Sequence, residues 1–425
     1  MMASITLFLV CLGGWPGETA RIDKATQQKL REVAVALDAA QKAEKEADVK
    51  KAVKQAVELL GERAGLPEVA DEFRPVPREV RPLERAELAT AYAPYLALIK
   101  RRKWWSRDLD PTKTNHALRE VASVIEGCLA ARRAGVNDAD DLLRIASDAG
   151  DFLLWTQEQA GTGVFPFPAV RNGKGRPFEV AERFYRQAEK AGKLDQVIKK
   201  GWSVEDFNDG GLQFDNGLAG VAVVHLFEVT AEDRYKKAAI RAADWATTRR
   251  VVPNWNYNSF SILLLAEVYR ITGDKKYLDA ARKKARLGLL PGQLTEGPRK
   301  GRWFDAHNAR PAYHYIMVRG LAALAAVLPK DDPDLPAVVE GLRLALLARN
   351  PDFEKGILNA DSTVEALIRV QSLPPHVAGK LSKCQTPETL ALLQRYAVEG
   401  FRQKKAPLGP GAWGQLLTYR PSRPR

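Results

Sequence analysis

The chain has 425 residues, 45% of them hydrophobic, with 9 Trp, which supplies a core for one large domain or two to three ordinary ones. A formal net charge of +13 favours anionic partners, but the Lys and Arg are spread over the polar sides of predicted helices and no RNA- or DNA-binding motif accompanies them, so nucleic acid is set aside. Cys11, Cys128 and Cys384 are too few and too far apart for a disulfide framework or a structural zinc site.

Residues 1–20 hold a short apolar run followed by small residues, ASITLFLVCLGGWPGETA. The run is too short to span a bilayer and predicts a secretory signal peptide cleaved after Ala20, although no basic residue precedes it. The expected location is therefore secreted or periplasmic, with no transmembrane association elsewhere. Residues 21–87 predict a charged helical extension that ends near Gly65 and passes into a Pro-rich linker, PEVADEFRPVPREVRPLERAE. Residues 88–425 form the main domain.

From about residue 88 the chain predicts helical hairpins. Asp215–Val229 is apolar nearly all round, the mark of a helix buried on every side, and His225 within it is expected to be a satisfied core residue. After the turn at Thr230, residues 233–250 carry one Ala/Tyr/Trp stripe and one Lys/Arg face, as an outer helix does. The pair repeats as Ser259–Ile271 with Lys275–Gly288 across Thr272-Gly273-Asp274. It repeats again as Ala312–Leu328 with Leu335–Arg349. Fainter pairs are Thr114–Ala134 with Asp138–Gln159, a polar pair over residues 177–200, and Asn359–Gln371 with Pro387–Lys404.

About six hairpins of variable length, joined by long loops rich in Gly and aromatics, suit a closed ring better than an open solenoid. Their buried-then-amphipathic alternation resembles the (α/α)6 toroid of six-hairpin glycosidases and helical polysaccharide lyases, over roughly residues 90–415. The fold class expected is all-α. Gln157–Pro168, QEQAGTGVFPFP, and the later GGLQFDNG are similar to the Gln–Gly–aromatic–Pro and Asp/Asn–Gly layout of helical pectate lyases; the rest of the catalytic set of those enzymes is not found in this chain.

In such a ring the inner helices run parallel, so their N-termini and the partial positive charge there gather at one rim. The residues placed at or just before those N-termini are Asn115, His116, Arg176, Asp206, Asp209, Asp215, Asn216, Trp255, Asn256, Tyr257, Asn258, Trp303, Asp305, His307, Asn308, Arg310, Tyr313, His314, Asn359 and Asp361. Asp215, Asn258 and Asp361 would serve equally as N-caps. The segment 301–320, GRWFDAHNARPAYHYIMVRG, is the richest; a helix starting near Arg310 puts Arg310, Tyr313 and His314 on one face. A structural cluster holding the rim together would use the same residues.

The resemblance implies an enzyme acting on a polysaccharide or oligosaccharide, and the basic balance favours an acidic one. Candidate catalytic residues are Tyr257, Asp305, His307, Arg310, Tyr313, His314 and Asp215. Candidate substrate-binding residues are Trp202, Asp209, Asn216, Trp255, Asn256, Asn258 and Trp303, since flat aromatic faces suit sugar rings and polar groups suit their hydroxyls. A lyase would use Arg310, Asn256 or His307 on the uronate carboxylate and Tyr257, Tyr313 or His314 on the proton. A hydrolase would pair Asp206, Asp209 or Asp215 with Asp305. A non-catalytic toroid or solenoid that binds glycan or protein is the reading from another class. No cofactor is required by the pattern; Asp305, His307 and His314 allow a divalent cation such as Ca2+, while HExxH, P-loop and GxSxG signatures are absent.

Overall fold

The structure is a computed structural model. It describes residues 84–418 apart from 104, 114–117, 137–138, 172, 174–175, 207–209, 253, 298, 305–307, 309, 350–360, 385–388 and 396–408, together with 45–60 and a few residues between 32 and 39. The expected signal segment, the Pro-rich linker, Asn115, His116, Asp209, Asp305, His307 and Asn359 lie outside the described residues.

The helices are α1 (Glu46–Leu60), α2 (Arg85–Arg102), α3 (Leu118–Arg133), α4 (Ala139–Ala160), α5 (Arg176–Lys190), α6 (Leu212–Thr230), α7 (Asp233–Thr248), α8 (Trp255–Thr272), α9 (Lys275–Gly288), α10 (Pro311–Val327), α11 (Leu335–Leu347), α12 (Asp361–Gln371) and α13 (Pro410–Leu416). Six of them close a ring. Helix α3 packs on α6, α6 on α8, α8 on α10, α10 on α12, α12 on α13, and α13 returns to α3. Helices α4, α7, α9 and α11 pack outside α3, α6, α8 and α10, and α2 lies against α13. This closed all-α ring is the (α/α)6 toroid expected from the repeats.

The inner helices run parallel, as paired contacts show. Ala312 and Arg319 of α10 meet Ser362 and Glu365 of α12 in the same order. Arg119 and Glu126 of α3 likewise meet Asp215 and His225 of α6. Neighbouring inner helices approach closely because glycine faces backbone: a Cβ on Gly217 would lie 2.7 Å from the Phe260 carbonyl oxygen, and one on Gly414 would lie 2.2 Å from that of Gly127.

Two expectations about the pairs change. Residues 177–200 are not a ring hairpin. They form α5, a short turn of helix at Leu194–Val197 and one strand of a small antiparallel sheet in which Trp202–Ser203 lies between Phe167–Pro168 and Ile198–Lys199. The sixth inner helix is instead α13, a seven-residue helix with Pro at its start and two glycines. Helix α1 rests outside the ring against α9 and the turn Leu290–Gly292, with Val49 and Ala52 buried.

The N-cap expectations also shift. Helix α6 begins three residues before Asp215, so Asp215 lies in its first turn. Asp206 does the capping work there, its Oδ1 accepting the Leu212 N–H at 3.0 Å. Helix α8 begins at Trp255, a turn earlier than expected, so Asn256, Tyr257 and Asn258 are helical.

Candidate functional site

The first turns of the inner helices surround one mouth. Arg119 of α3 and Asp215 of α6 meet there in a two-pronged ion pair: Nε donates to Oδ1 at 3.0 Å and Nη2 to Oδ2 at 2.6 Å. Such a fork fixes the guanidinium plane as well as adding energy. The Asp215 side chain is 1% exposed and that of Arg119 27%, so the carboxylate is sealed while the arginine side chain keeps part of its surface. Asp215 also sits where the α6 dipole favours negative charge.

The Arg119 guanidinium lies over the Phe214 ring, 3.8 Å from its centroid. Phe214 stacks on Phe260 of α8 at 4.0 Å and 15°. Phe260 in turn carries Arg319 of α10 at 5.4 Å. The column Arg119–Phe214–Phe260–Arg319 thus steps through four inner helices. Tyr257 of α8, half-buried, is near enough to Arg119 to interact with its charge, although α8 and α3 are not neighbours in the ring. Arg310 and Tyr313 stand at the start of α10 on the same rim, the guanidinium 4.6 Å from the ring centroid.

Further along the inner helices, ion pairs link one helix to the next. Glu126 of α3 and His225 of α6 pair at 2.6 Å. Burial alone would lower the His225 pKa, but the Glu126 carboxylate outweighs it and holds the value above the ordinary 6.5. Arg369 of α12 reaches Glu267 of α8, across the position of α10, and Arg319 pairs with Glu365. Burial alone would raise Glu267; Arg369, His225 and Arg270 hold it far below the usual carboxylate range instead. His225 is thus a satisfied residue, with an ionic partner rather than an apolar setting.

Asp215 and Tyr257 lie beside Arg119, and Arg310 and Tyr313 stand at the start of α10, at the same end of the ring. The structure places the other described candidates in the wall. His314 is buried between Trp303 and Tyr315, its Nε2 2.8 Å from the Ala345 carbonyl oxygen of the outer helix α11. Burial and nearby Arg349 push its pKa well below 6.5, so the imidazole is neutral and Nε2 donates. His314 therefore does not share the mouth-facing side of α10 with Arg310 and Tyr313. Trp303 is fully buried, its Nε1 donating to the Leu289 carbonyl oxygen at 2.9 Å. Trp202 is buried edge-on to Trp155, and Trp255 edge-on to Phe304, which leaves neither ring as an open sugar platform.

The asparagines tie loops to helices. Asn216 accepts from the Phe165 N–H at 3.0 Å and donates to the Ala242 carbonyl oxygen at 3.1 Å. Asn258 donates to the carbonyl oxygens of Val252 and Gly288, each at 2.7 Å. Asn256 donates to Asn254 and Asn308. Gln157, from the pectate-lyase-like stretch, donates to the Gly163 carbonyl oxygen at 2.6 Å and accepts from Arg241. Among the described residues, no group of three or more His, Cys, Asp or Glu is placed to hold a metal ion, and no helix is long and apolar enough to cross a membrane.

Arg119, Glu126, Glu267, Arg319 and Arg369 were not singled out from sequence. Their signal was available: each is a charge set in a helix whose other residues are mostly buried and apolar, and a buried charge is far more informative than a buried Leu.

No family model matches the chain, and no curated protein does. Among solved structures, a polysaccharide lyase aligns over 79% of this chain and 96% of its own at 11% identity and a TM-score of 0.45. An unsaturated glucuronyl hydrolase from Streptococcus agalactiae aligns over 77% and 85% at 13% identity and a TM-score of 0.42. The ring stands on its own helix contacts.

Proposed function

We propose that the chain is an enzyme that cleaves an acidic polysaccharide at the mouth of the ring, by elimination next to a uronate. The observation that carries this is the Arg119–Asp215 fork, with the guanidinium over Phe214 and Tyr257 beside it. A uronate carboxylate would be neutralised by Arg119 and by Arg310 on the same rim. That neutralisation makes the C5 proton more acidic. Tyr257, which interacts with the Arg119 charge, is the group we assign to take that proton. The electron pair left at C5 forms the C4–C5 double bond as the C4–O bond breaks, and the leaving oxygen takes a proton back from the same phenol or from Tyr313. Asp215 acts as a positioning residue, since it reaches the substrate only through Arg119.

Hydrolysis needs two free carboxylates across the bond. Of the four rim aspartates considered for hydrolysis, the two that are described are engaged, Asp215 by Arg119 and Asp206 through Oδ1 by the Leu212 N–H, which supports elimination over hydrolysis. The test is a panel of uronate and neutral polysaccharides followed both by the absorbance of unsaturated products and by reducing ends. Elimination gives both signals together on uronate chains; reducing ends without absorbance would instead mean hydrolysis. Export belongs to the same proposal. N-terminal sequencing of protein recovered from outside the cytoplasm would begin at Arg21, whereas an intact Met1 would count against it.

A further inference from the structure

A cavity of about 450 Å³ lies on the outer side of the ring, between the C-terminal end of α2 with the segment that follows it and the outward face of α4. Its walls include Lys100, Lys103, Trp105, Arg107, Arg144 and Asp148. A volume of that order lies within the usual range for small-ligand sites, about 300–1,000 Å³.

The charges in this cavity do not cancel. Asp148 is held by Arg144 at 3.3 Å, and Asp151 by Arg234 at 2.8 Å. Lys100 and Arg144 share Asp141. Lys103 and Arg107 have no ion pair among the described residues. Lys103 is also held in the left-handed region, at φ 40, where the C-cap of α2 would more cheaply carry glycine. The half-buried Trp105 contributes a flat aromatic wall.

We infer that this cavity is a second carbohydrate site, which binds a uronate unit of an oligosaccharide away from the mouth. Lys103 and Arg107 supply the charge for one carboxylate, and Trp105 supplies an apolar face for the ring. The Asp148 carboxylate, 54% exposed on its side chain, has lone pairs to accept hydroxyl donors. That carboxylate also argues against a polyphosphate, which it would repel, whereas a sugar with one carboxylate and several hydroxyls satisfies both signs. The inference rests on the proposed function for its substrate class. It adds a hold on the polymer that the mouth does not provide.

The test is titration calorimetry of the full chain with a short oligouronate, a neutral oligosaccharide of equal length and tripolyphosphate, on the parent, on Lys103→Gly/Arg107→Ala and on Trp105→Ala. Lys103→Gly relieves the left-handed residue, so folding is preserved. The expected result is oligouronate binding at two sites in the parent, with one lost or weakened at least about tenfold in each variant. Neutral sugar should bind weakly, and turnover of a short substrate should be unchanged in the variants. Unchanged oligouronate binding in both variants, or tighter binding of tripolyphosphate than of oligouronate, would overturn the inference. Binding that depends on Lys103 and Trp105 in a protein with no turnover would sustain this site and defeat the proposed function. Turnover with groove variants that bind like the parent would do the reverse.

Discussion

Lys284 of α9 is 3% exposed, and its amine donates to the Arg249 carbonyl oxygen at 3.0 Å and to Gln213 Oε1 at 3.2 Å. Burial pushes its pKa from 10.5 down to about 7, against the opposing pull of the Asp206 carboxylate. Below about pH 7 the folded protein must hold a charged amine in that setting, at a cost of about 5 kcal/mol relative to an exposed lysine. Between there and the unfolded value, the unfolded chain binds one proton more than the folded one. Stability therefore climbs with pH by about 1.4 kcal/mol per unit across that window and levels off above it. Lys284→Met keeps an unbranched apolar stem and removes the titrating group. It also removes two hydrogen bonds, but that loss does not depend on pH, and Gln213 Oε1 still accepts from Ser261 at 2.7 Å. Urea unfolding of both proteins should therefore show the variant at its greatest relative advantage in acid. That advantage should shrink by about 3 kcal/mol between about pH 7 and about pH 9. A difference that stays flat over this range would instead mean that Lys284 keeps its charge and its ordinary titration in the folded protein.

Other outcomes follow from the packing and the ion pairs between inner helices. Gly217→Ala and Gly414→Ala should each cost about 1–3 kcal/mol in thermal or urea unfolding, because the added methyl meets backbone rather than a flexible side chain. The Glu126–His225 pair should stabilise most between the ordinary Glu and His values of 4.5 and 6.5. Its contribution fades in acid as Glu126 takes a proton and in base as His225 loses one, so Glu126→Gln should lower the His225 titration point seen by NMR. His314→Ala should act on stability, by about 2–4 kcal/mol for the lost side chain and its bond to Ala345, and leave substrate affinity of the folded fraction unchanged.

The ring was legible because α6, α8 and α10 are apolar on nearly every side and their outer partners α7 and α9 are not. Gly273 at φ 70 and Asp274, whose Oδ1 accepts the Lys276 N–H, punctuate α8 and α9 as the sequence predicts. Helix α13 was hidden, since its seven residues, PGAWGQL, have no period; its place depends on glycines meeting Ser123 and Gly127 of α3, a contact distant in sequence. Residues 177–200 misled for the opposite reason: α5 has a strong amphipathic pattern but lies outside the ring. At the rim, residue type marked the right end of the toroid but could not say which way each side chain points. Tyr257 and His314 both lie in the first turn or so of an inner helix, yet one faces the mouth and the other faces α11. Arg119 carries a sequence signal as a charge in a mostly buried helix, but its link to the rim comes through Asp215, a partner on another helix.

Elimination at the mouth is tested most directly by turnover of uronate polysaccharide, read as unsaturated-product absorbance, by Tyr257→Phe and Arg119→Lys beside the parent, with folding confirmed by circular dichroism. Tyr257→Phe removes only the phenolic oxygen, and Arg119→Lys keeps the charge but loses the fork on Asp215. Loss of kcat by at least about a hundredfold in the first, and a raised KM with reduced kcat in the second, is the expected pattern for a proton-transfer group and a carboxylate clamp. Two folded variants that turn over like the parent would place the chemistry elsewhere than the mouth of the ring.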